Sequence, residues 1–442
     1  MFNSRAILLS GIAGCALMAS AASLFAGGFA VRQHSTSGLG SAYAGAAAGG
    51  DLSSMYWNPA AATVKDGLNS ESHYTLMAPQ AEVNVLSASN PAVLGSPFAS
   101  GTNSGEITSL ALISASYYNY QFKNYDPNLF LGLAINSPFG LKTKPENGHY
   151  AGALIGRESY LRTFNFSPTL AYKITPQISV AVGAQFQYAT AKFSFATGTP
   201  MAGDTKFEGN GISAGWTAGV LWQPTASTSI GLGYRSGMKT DLDGAYINTP
   251  GAAVAAALST DAQVKLNLPD MITLSFRQSL TQNMRVLGTV EWTNWSVLKE
   301  LRVVADGSST VAIPGAVGST IANLPVGWTD GWFFGLGGEY DYNQRLTLRA
   351  GGAYEITPID APTKRLIGTP DNDRIWASIG ATYKWSETTS FDLAYSHVFI
   401  KDSTWDRTSL GALGGGAGPG VRMTGTMESS LDIISVSMKS RW

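Results

Sequence analysis

From about residue 67 onward, apolar and polar side chains alternate with a period of two. This is the pattern of β-strands whose two faces meet different surroundings. In one stretch Met284, Val286, Val290 and Trp292 alternate with polar neighbours. The pattern predicts fourteen strands. Their predicted ranges are 68–86, 107–119, 129–136, 158–172, 178–193, 212–222, 229–241, 262–280, 284–298, 328–340, 345–355, 374–384, 389–399 and 427–442.

The connections between these strands alternate in length. Those after the second, fourth, sixth, eighth, tenth and twelfth strands are short, centred near residues 127, 176, 225, 282, 343 and 388. The other seven are long and rich in Gly, Ser, Ala and Pro. Short turns on one side and long loops on the other are typical of bacterial outer-membrane barrels. An even strand count places both barrel termini on the short-turn side, which is the periplasmic side in such barrels.

Aromatic residues separate a membrane barrel from a soluble β-sandwich, which shows the same alternation with its apolar face inward. Near the strand ends they lie on the apolar face, as the interfacial girdles of a membrane barrel require. They are Trp222, Trp292, Trp332, Tyr340, Tyr354, Tyr383 and Trp385. The last strand ends on Trp442, which resembles the signal read by the outer-membrane assembly machinery. We therefore predict an all-β, transmembrane antiparallel β-barrel in the bacterial outer membrane.

Composition agrees with this class of protein. Only 13% of the 442 residues are charged and 50 are glycine, against about 25% charged in soluble domains. The net charge of −1 argues against a nucleic-acid partner, which favours a basic excess. After residue 26, no apolar run approaches the roughly 18 residues that a transmembrane helix needs.

Residues 1–26 resemble an export signal, with Arg5 before an apolar stretch and cleavage sites after Ala22 or Ala26. The single cysteine, Cys15, lies inside this segment, so a mature chain without it forms no disulfide. The alternative is that residues 12–15 form a lipoprotein cleavage box, which makes Cys15 a lipidated N-terminus.

Residues 27–63 are rich in Gly, Ala and Ser and lack the periodicity of a strand or of an amphipathic helix. Such a segment is too small to form its own core. We expect residues 27–66 to form a small hatch that plugs the lumen of a barrel built from residues 67–442.

The predicted strand 129–136 is followed by Ser137, Pro138, Phe139 and Gly140. Proline removes a backbone donor and glycine permits a bend, so this strand is expected to kink or stop early. A gap in a barrel wall that faces lipid is costly, which predicts that it is plugged or functional. The alternative is a strand that simply ends there.

Catalytic and metal-binding patterns are weak. His34, His73, His149 and His397 fall in unrelated segments without the spacing of metal ligands. The one G-x-S-x-G match, residues 211–215, falls on the predicted strand 212–222 and not on the strand-to-helix turn of a nucleophile elbow, so we predict no enzyme activity, no metal and no cofactor. Lumen-facing charges are expected to be solvated or paired with each other, with one or two as candidates to anchor an anionic head group. They are Arg235, Lys265, Arg277, Arg285, Glu291, Glu339, Arg349 and Arg374.

Five motifs, in order along the mature chain, resemble the FadL family of outer-membrane long-chain fatty-acid transporters. They are residues 37–43 (SGLGSAY), 58–60 (NPA), 266–271 (LNLPDM), 292–296 (WTNWS), and Pro358 with 370–374 (PDNDR). The resemblance implies a fourteen-stranded barrel plugged by an N-terminal hatch, with neither ATP nor metal.

The family also implies a route. A hydrophobic ligand passes from the extracellular loops to an apolar pocket, and a hatch shift then lets it leave sideways through the kinked third strand into the membrane. In this chain the hatch gate is expected at Asn58, Pro59 and Ala60, lying against the kink at residues 137–140.

The chain departs from the fatty-acid pattern at two positions. Family members that hold a carboxylate carry basic residues where this chain has Phe195 and Thr329, with Lys192 as a possible substitute. Trp57 and Arg349 complete the candidate substrate pocket. Without those cations the pocket loses its preference for a carboxylate.

The first expectation is therefore passive transport of long-chain fatty acids by a monomer in contact with lipids and lipopolysaccharide. The close alternative is uptake of neutral aromatic or aliphatic hydrocarbons. A general porin and an outer-membrane lipase are the more distant alternatives.

Overall fold

The computed structural model describes residues 27–89, 103–145, 150–196, 204–248, 258–306, 317–409 and 420–442. The predicted export signal, Cys15 and His149 lie outside these ranges. Within them, no helix is long and apolar enough to cross a membrane.

The strands form one antiparallel sheet that closes on itself, because β1 pairs with β3 on one edge and with β21 on the other. The first half of the strands comprises β1 Leu68–Ala88, β2 Ser104–Glu106, β3 Ala111–Gln121, β4 Leu129–Asn136, β5 Gly140–Thr143, β6 Glu158–Lys173, β7 Ile178–Ala196, β8 Asp204–Thr225, β9 Thr228–Arg235 and β10 Met238–Asn248. The second half comprises β11 Leu258–Leu268, β12 Met271–Ser279, β13 Met284–Thr293, β14 Glu300–Ala305, β15 Thr320–Pro325, β16 Gly331–Asp341, β17 Leu346–Ile356, β18 Arg374–Lys384, β19 Thr389–Ile400, β20 Ser403–Thr408 and β21 Arg422–Arg441.

These pieces make fourteen barrel strands, which confirms the predicted fold. Six barrel strands are broken into two pieces, namely β4 with β5, β9 with β10, β11 with β12, β13 with β14, β15 with β16, and β19 with β20, while β2 is a short addition beside β1. All six short connections lie at one end of the barrel, which we call the short-turn end. β1 begins and β21 ends there, where the Trp442 N–H donates to the Leu68 carbonyl at 2.9 Å.

The alternation located the strands well, and β4 ends at the predicted kink, but the alternation itself does not mark the other interruptions. The range 262–280 is not one strand, because Pro269 lacks an N–H and the strand is interrupted between β11 and β12. The range 229–241 is broken at residues 236–237. Residues 295–298 belong to no strand, since a 3₁₀ turn at Trp295–Val297 follows β13. Lys265 is exposed beside buried neighbours, so its predicted lumen-facing position is wrong.

The outward face of the barrel is apolar. Leu232, Leu274, Leu336, Ile379 and Leu393 are among the large hydrophobic side chains exposed along the strands. Most of the predicted girdle aromatics are exposed at strand ends on this face. They are Trp222, Trp332, Tyr340, Tyr354, Tyr383 and Trp385. Such a surface suits lipid rather than water.

Residues 27–66, the N-terminal segment, lie inside the barrel and are almost entirely buried. The segment contains one short α-helix, α1 Thr36–Gly40, and 3₁₀ turns at Leu52–Tyr56 and Pro59–Thr63. α1 packs against β17, β18 and β19. The turn Pro59–Thr63 packs against β6, β7 and β8 on another part of the wall. The segment therefore spans the lumen, and its small residues permit close approach to the wall.

Candidate functional site

The barrel wall is interrupted at the predicted kink. β4 pairs with β3 from Ser116↔Ile135 to Gln121↔Phe130. Beyond residues 137–139, β5 pairs with β6, and among the described residues it makes no ladder with β3. The chain after β5 and the chain before β3 meet again where the Lys144 N–H donates to the Ile107 carbonyl at 2.8 Å. Residues 137–143 thus border an interruption in the β3–β4 side of the wall.

The N-terminal segment covers this interruption from inside the barrel. The Val31 N–H donates to the Pro138 carbonyl at 2.8 Å, and the Gly140 N–H donates to the Phe29 carbonyl at 2.9 Å. Ala30 and Phe139 form the antiparallel bridge between these two bonds. Residues 29–31 therefore act as a short strand that occupies main-chain groups of the kink.

This arrangement corrects the expected partner of the kink. Asn58 and its turn do not lie against residues 137–140; residues 29–31 do. The Asn58 amide instead donates to the carbonyls of Ala47 and Val220, each at 2.9 Å. Its side-chain oxygen accepts from the Ala60 N–H at 3.1 Å and so caps the 3₁₀ turn, with Pro59 in the first position.

Glycines on the wall make room for the Asn58 turn. A Cβ atom placed on Gly233 would lie 1.8 Å from the Trp57 carbonyl oxygen, and one on Gly231 would lie 1.8 Å from that of Ala47. A Cβ on Gly219 would lie 2.0 Å from Asn58 Oδ1. At Gly231 and Gly233 main chain packs directly against main chain, and at Gly219 the wall packs against the Asn58 side chain; only glycine permits such close approach.

An apolar pocket lies beside the covered kink. Its lining includes Trp57, Phe139, Met238, Met271, Trp295 and Phe333. Phe29 reaches into the same region, where its ring lies 4.8 Å from that of Trp295 and 5.5 Å from that of Trp328. The remaining cavity is only about 40 Å³, enough for a few water molecules. The cavity in this structure is therefore too small for a larger ligand.

Ion pairs fix the beginning of the segment next to this pocket. Arg32 lies 2.7 Å from Glu291 and 3.6 Å from Glu355. Glu355 also accepts from the Gly27 N–H at 3.0 Å, and Asp371 accepts from the Gly28 N–H at 2.7 Å. These backbone contacts hold residues 27–32 in place.

A second, polar cluster lies toward the short-turn end. Lys439 contacts Asp51 of the N-terminal segment at 2.6 Å and Asp392 at 2.8 Å. Burial raises the pKa of Asp51, but the charges of Lys439, Lys65 and Arg349 together outweigh burial and hold that pKa well below its usual range. Arg349 pairs with Glu339 at 2.8 Å. Asp51, Arg349 and Lys439 line a polar cavity of about 530 Å³ that reaches the turn at residues 386–389.

The structure separates the residues that the sequence grouped into one substrate pocket. Trp57 lines the apolar pocket, which Arg349 does not reach. The two residues share only a small polar cavity of about 60 Å³, and Arg349 also lines the larger polar cavity. Lys192 pairs with Glu158 at 2.8 Å, and Thr329 bonds through its N–H and its hydroxyl to the Pro358 carbonyl. Phe195 lies at the end of β7 remote from the short turns. These five positions therefore do not surround one cavity.

Two features of the site carried little signal in the sequence. Residues 29–31 have no motif that announces a strand, although Gly27 and Gly28 before them mark an irregular stretch. Trp328 and Trp295 come together only through long-range packing, 5.3 Å apart. Asp371, which bonds to Gly28 and to Arg374, did lie in one of the recognised motifs.

The chain matches a family model described as outer membrane protein transport protein (OMPP1/FadL/TodX) over residues 16–442. It is 28% identical over 402 residues to a long-chain fatty acid transport protein of Salmonella typhi, covering 84% of this chain and 87% of that protein. It is also 28% identical over 429 residues to outer membrane protein P1 of Haemophilus influenzae, covering 86% and 89%.

Two solved structures share the fold. A FadL homologue of Pseudomonas aeruginosa superposes with a TM-score of 0.81 at 20% identity, covering 93% of this chain and 99% of that one. The toluene transporter TodX of P. putida superposes with a TM-score of 0.62 at 15% identity, covering 89% and 94%.

Proposed function

Because this chain belongs to the OMPP1/FadL/TodX family of outer membrane transport proteins, we propose that it carries hydrophobic small molecules across the bacterial outer membrane. Long-chain fatty acids are the first candidate ligands, since several related proteins are named as transporters of them. Neutral hydrocarbons are the second candidate, since TodX, which shares the fold, is named as a toluene transporter. Both barrel termini are placed in the periplasm, and the protein works without catalysis or a cofactor.

The observation that carries the proposal is the contact between residues 29–31 and the kink. A barrel wall normally satisfies its own backbone groups from strand to strand. Here Val31 and Phe29, which belong to the N-terminal segment, supply hydrogen bonds to Pro138 and Gly140. Withdrawal of residues 29–31 exposes the interruption in the wall to the apolar pocket, and a ligand in that pocket then has a sideways path into the membrane.

The small size of the pocket supports gating by the N-terminal segment. A cavity of about 40 Å³ is far below the roughly 300 Å³ or more of a typical ligand pocket. Phe29 lies against Trp295 and Trp328, so movement of Phe29 creates space for a ligand. The same movement breaks the hydrogen bond from Gly140 to the Phe29 carbonyl. Ligand entry and opening of the wall are therefore coupled through one residue.

In this proposal residues 27–66 are the hatch and residues 67–442 are the barrel. The turn at Asn58, Pro59 and Ala60 is the fixed part of the hatch. It holds the middle of the segment against β8 and β9 while residues 27–31 move. The first 26 residues are proposed to be removed during export.

A reversible cross-link tests the gate directly. Ala30 and Phe139 form a non-hydrogen-bonded antiparallel pair, a geometry with Cα atoms about 4.5 Å apart and within the range of a disulfide. We expect the oxidised double variant Ala30→Cys/Phe139→Cys to lose uptake of both oleate and toluene in cells that lack other transporters, and dithiothreitol to restore it.

The two single cysteine variants control for altered side chains in the pocket, and heat-dependent mobility on a gel reports barrel assembly. Transport by the oxidised double variant at the rate of its reduced form would show that residues 29–31 need not leave the kink. Ion conductance in planar bilayers separates this mechanism from a general porin, because a plugged barrel conducts little. Ester hydrolysis by purified protein would favour the lipase alternative.

A further inference from the structure

Arg235 is a buried cation at the edge of the apolar pocket. It lies at the end of β9, on the same face as Gly231 and Gly233, which touch the N-terminal segment. Only 5% of its surface is exposed, and it contributes to the lining of the pocket. Its guanidinium carbon lies 4.7 Å from the centre of the Tyr56 ring.

This guanidinium has no carboxylate partner among the described residues. Its Nε and Nη2 atoms are buried without a hydrogen-bond acceptor. The other arginines near the pocket differ, since Arg32 pairs with Glu291 and Glu355, and Arg374 pairs with Asp371. A buried charged donor left unsatisfied is costly, and contact with the face of a tyrosine replaces only part of the lost hydration.

The acidic groups of the pocket are already occupied. Glu291 accepts from Arg32 on one oxygen and from the Thr273 hydroxyl on the other, at 2.9 Å. Glu355 accepts from the Gly27 N–H on one oxygen and from the Trp376 indole on the other, at 3.1 Å. Both carboxylates pair with Arg32 and neither with Arg235, so the charged group of the pocket that lacks an ion-pair partner is a cation.

The surroundings of Arg235 suit an amphipathic anion. Ser236, Met238 and Met271 share the pocket lining with it, and the aromatic side chains of Phe139 and Trp295 lie further along the same lining. A carboxylate has the planar geometry that a guanidinium binds with two parallel hydrogen bonds. An alkyl chain attached to that carboxylate matches the apolar remainder of the pocket.

We propose that Arg235 is the specificity-determining residue of this transporter and holds the carboxylate of a long-chain fatty acid. This inference rests on the proposed transport function and names the ligand class that the pocket prefers. Arg235, one of the lumen-facing charges that the sequence offered as anchors, takes the role that Phe195 and Thr329 cannot fill and for which Lys192 was the suggested substitute. It favours an ionised fatty acid over a neutral hydrocarbon of the same length.

Equilibrium binding to purified protein in a non-ionic detergent tests the assignment, with radiolabelled oleate and methyl oleate as probes. The two ligands share a chain and differ in charge. Because a charge-assisted hydrogen-bonded pair is lost, we expect Arg235→Gln to bind oleate about 10- to 100-fold more weakly, with binding of methyl oleate little changed. Arg235→Lys keeps the charge without the planar fork and is expected to lose less oleate affinity.

Arg345→Gln is the matched control, because Arg345 is exposed in a short turn away from the pocket, and it should bind both probes as the wild type does. Equal weakening of oleate and methyl oleate by Arg235→Gln, or no weakening of either, overturns the assignment. If Arg235→Gln does not assemble, an oleate affinity of Arg235→Lys equal to that of the wild type overturns it instead.

The outcomes also distinguish this inference from the proposed function. Wild-type protein that binds and transports methyl oleate or toluene but not oleate would leave the transport function standing and refute the carboxylate anchor. Wild-type protein that takes up none of these compounds would refute the transport function itself.

Discussion

Substitution of Gly233 by alanine should displace the N-terminal segment from its contacts with the inner barrel wall while leaving the barrel intact. We call the segment seated when it makes these contacts and unseated when it does not. The added Cβ atom would lie 1.8 Å from the carbonyl oxygen of Trp57, 2.8 Å from its carbonyl carbon and 2.9 Å from the Asn58 Cα atom. All three are main-chain atoms, so no side-chain rotation relieves the overlap. The wall and the segment must separate.

The size of the effect follows from the overlap. Close carbon–oxygen contacts lie near 3.3 Å, so relief at the Trp57 carbonyl requires a displacement of more than about 1 Å. Overpacking of this kind costs about 1–3 kcal/mol or more. Because the ladders of β9 with β8 and β12 do not include the segment, the cost falls on the seating of the segment. An unseated population raised about 5- to 100-fold is the expected result.

Thiol accessibility measures that population. Ala61 is fully buried in the turn Pro59–Thr63, so Ala61→Cys should react slowly with a maleimide until the segment is unseated. We expect Gly233→Ala to accelerate labelling of Ala61→Cys, without loss of heat-resistant barrel mobility on a gel.

Gly352→Ala is the matched control for this experiment, because its Cβ would meet the Trp376 carbonyl oxygen at an ordinary 3.5 Å. Labelling of the Gly233→Ala protein at the parent rate would refute the argument that main-chain contact seats the segment. Equal acceleration by Gly352→Ala would refute its assignment to β9.

Two further predictions use the same labelled position. Asn58→Ala removes three hydrogen bonds of a buried amide, which are worth about 2–4 kcal/mol together. Labelling of Ala61→Cys should accelerate and oleate uptake should fall. Unchanged uptake would argue against a role of this turn in gating. Burial, and then the charge of Arg235, holds the pKa of His34 well below 6.5. His34 is therefore neutral when seated, and protonation favours the unseated segment as the pH falls below about 6.5. The labelling rate, divided by that of the unfolded protein at the same pH to correct for the smaller thiolate fraction, should rise between pH 7 and pH 5, and His34→Gln should abolish this rise.

The sequence predicted the barrel because lipid imposes a simple rule on the strands that face it. Leu348 and Tyr354 must be apolar while their neighbours need not be, and the resulting alternation survives in every strand between the turns. The pieces that the alternation missed, such as β5 and β14, lie where strands bend or continue beyond the regular ladders. The two faces of these pieces do not each keep one kind of surroundings, lipid or lumen, so no alternation of apolar and polar residues is imposed there.

The candidate site was predicted only in part because it depends on pairing across the lumen. Pro138 predicted a kink through its own chemistry, and the family resemblance singled out Asn58. That residues 29–31 cover the kink, rather than the Asn58 turn, depends on how the segment threads through the barrel. The lack of a carboxylate partner for Arg235 likewise cannot be predicted from the sequence, since it depends on which carboxylates already pair with other arginines.

The main-chain contact between the wall glycines and the N-terminal segment divides the chain into two classes of mutational tolerance. At Gly219, Gly231 and Gly233 any side chain is excluded by volume alone, whatever its chemistry. Pocket positions such as Met238 and Met271 are free of that restriction. A saturation-mutagenesis map should therefore record near-complete intolerance at the three glycines beside graded, ligand-dependent effects at the methionines. Ligand preference can then diverge between homologous barrels while the seating of the segment is kept unchanged.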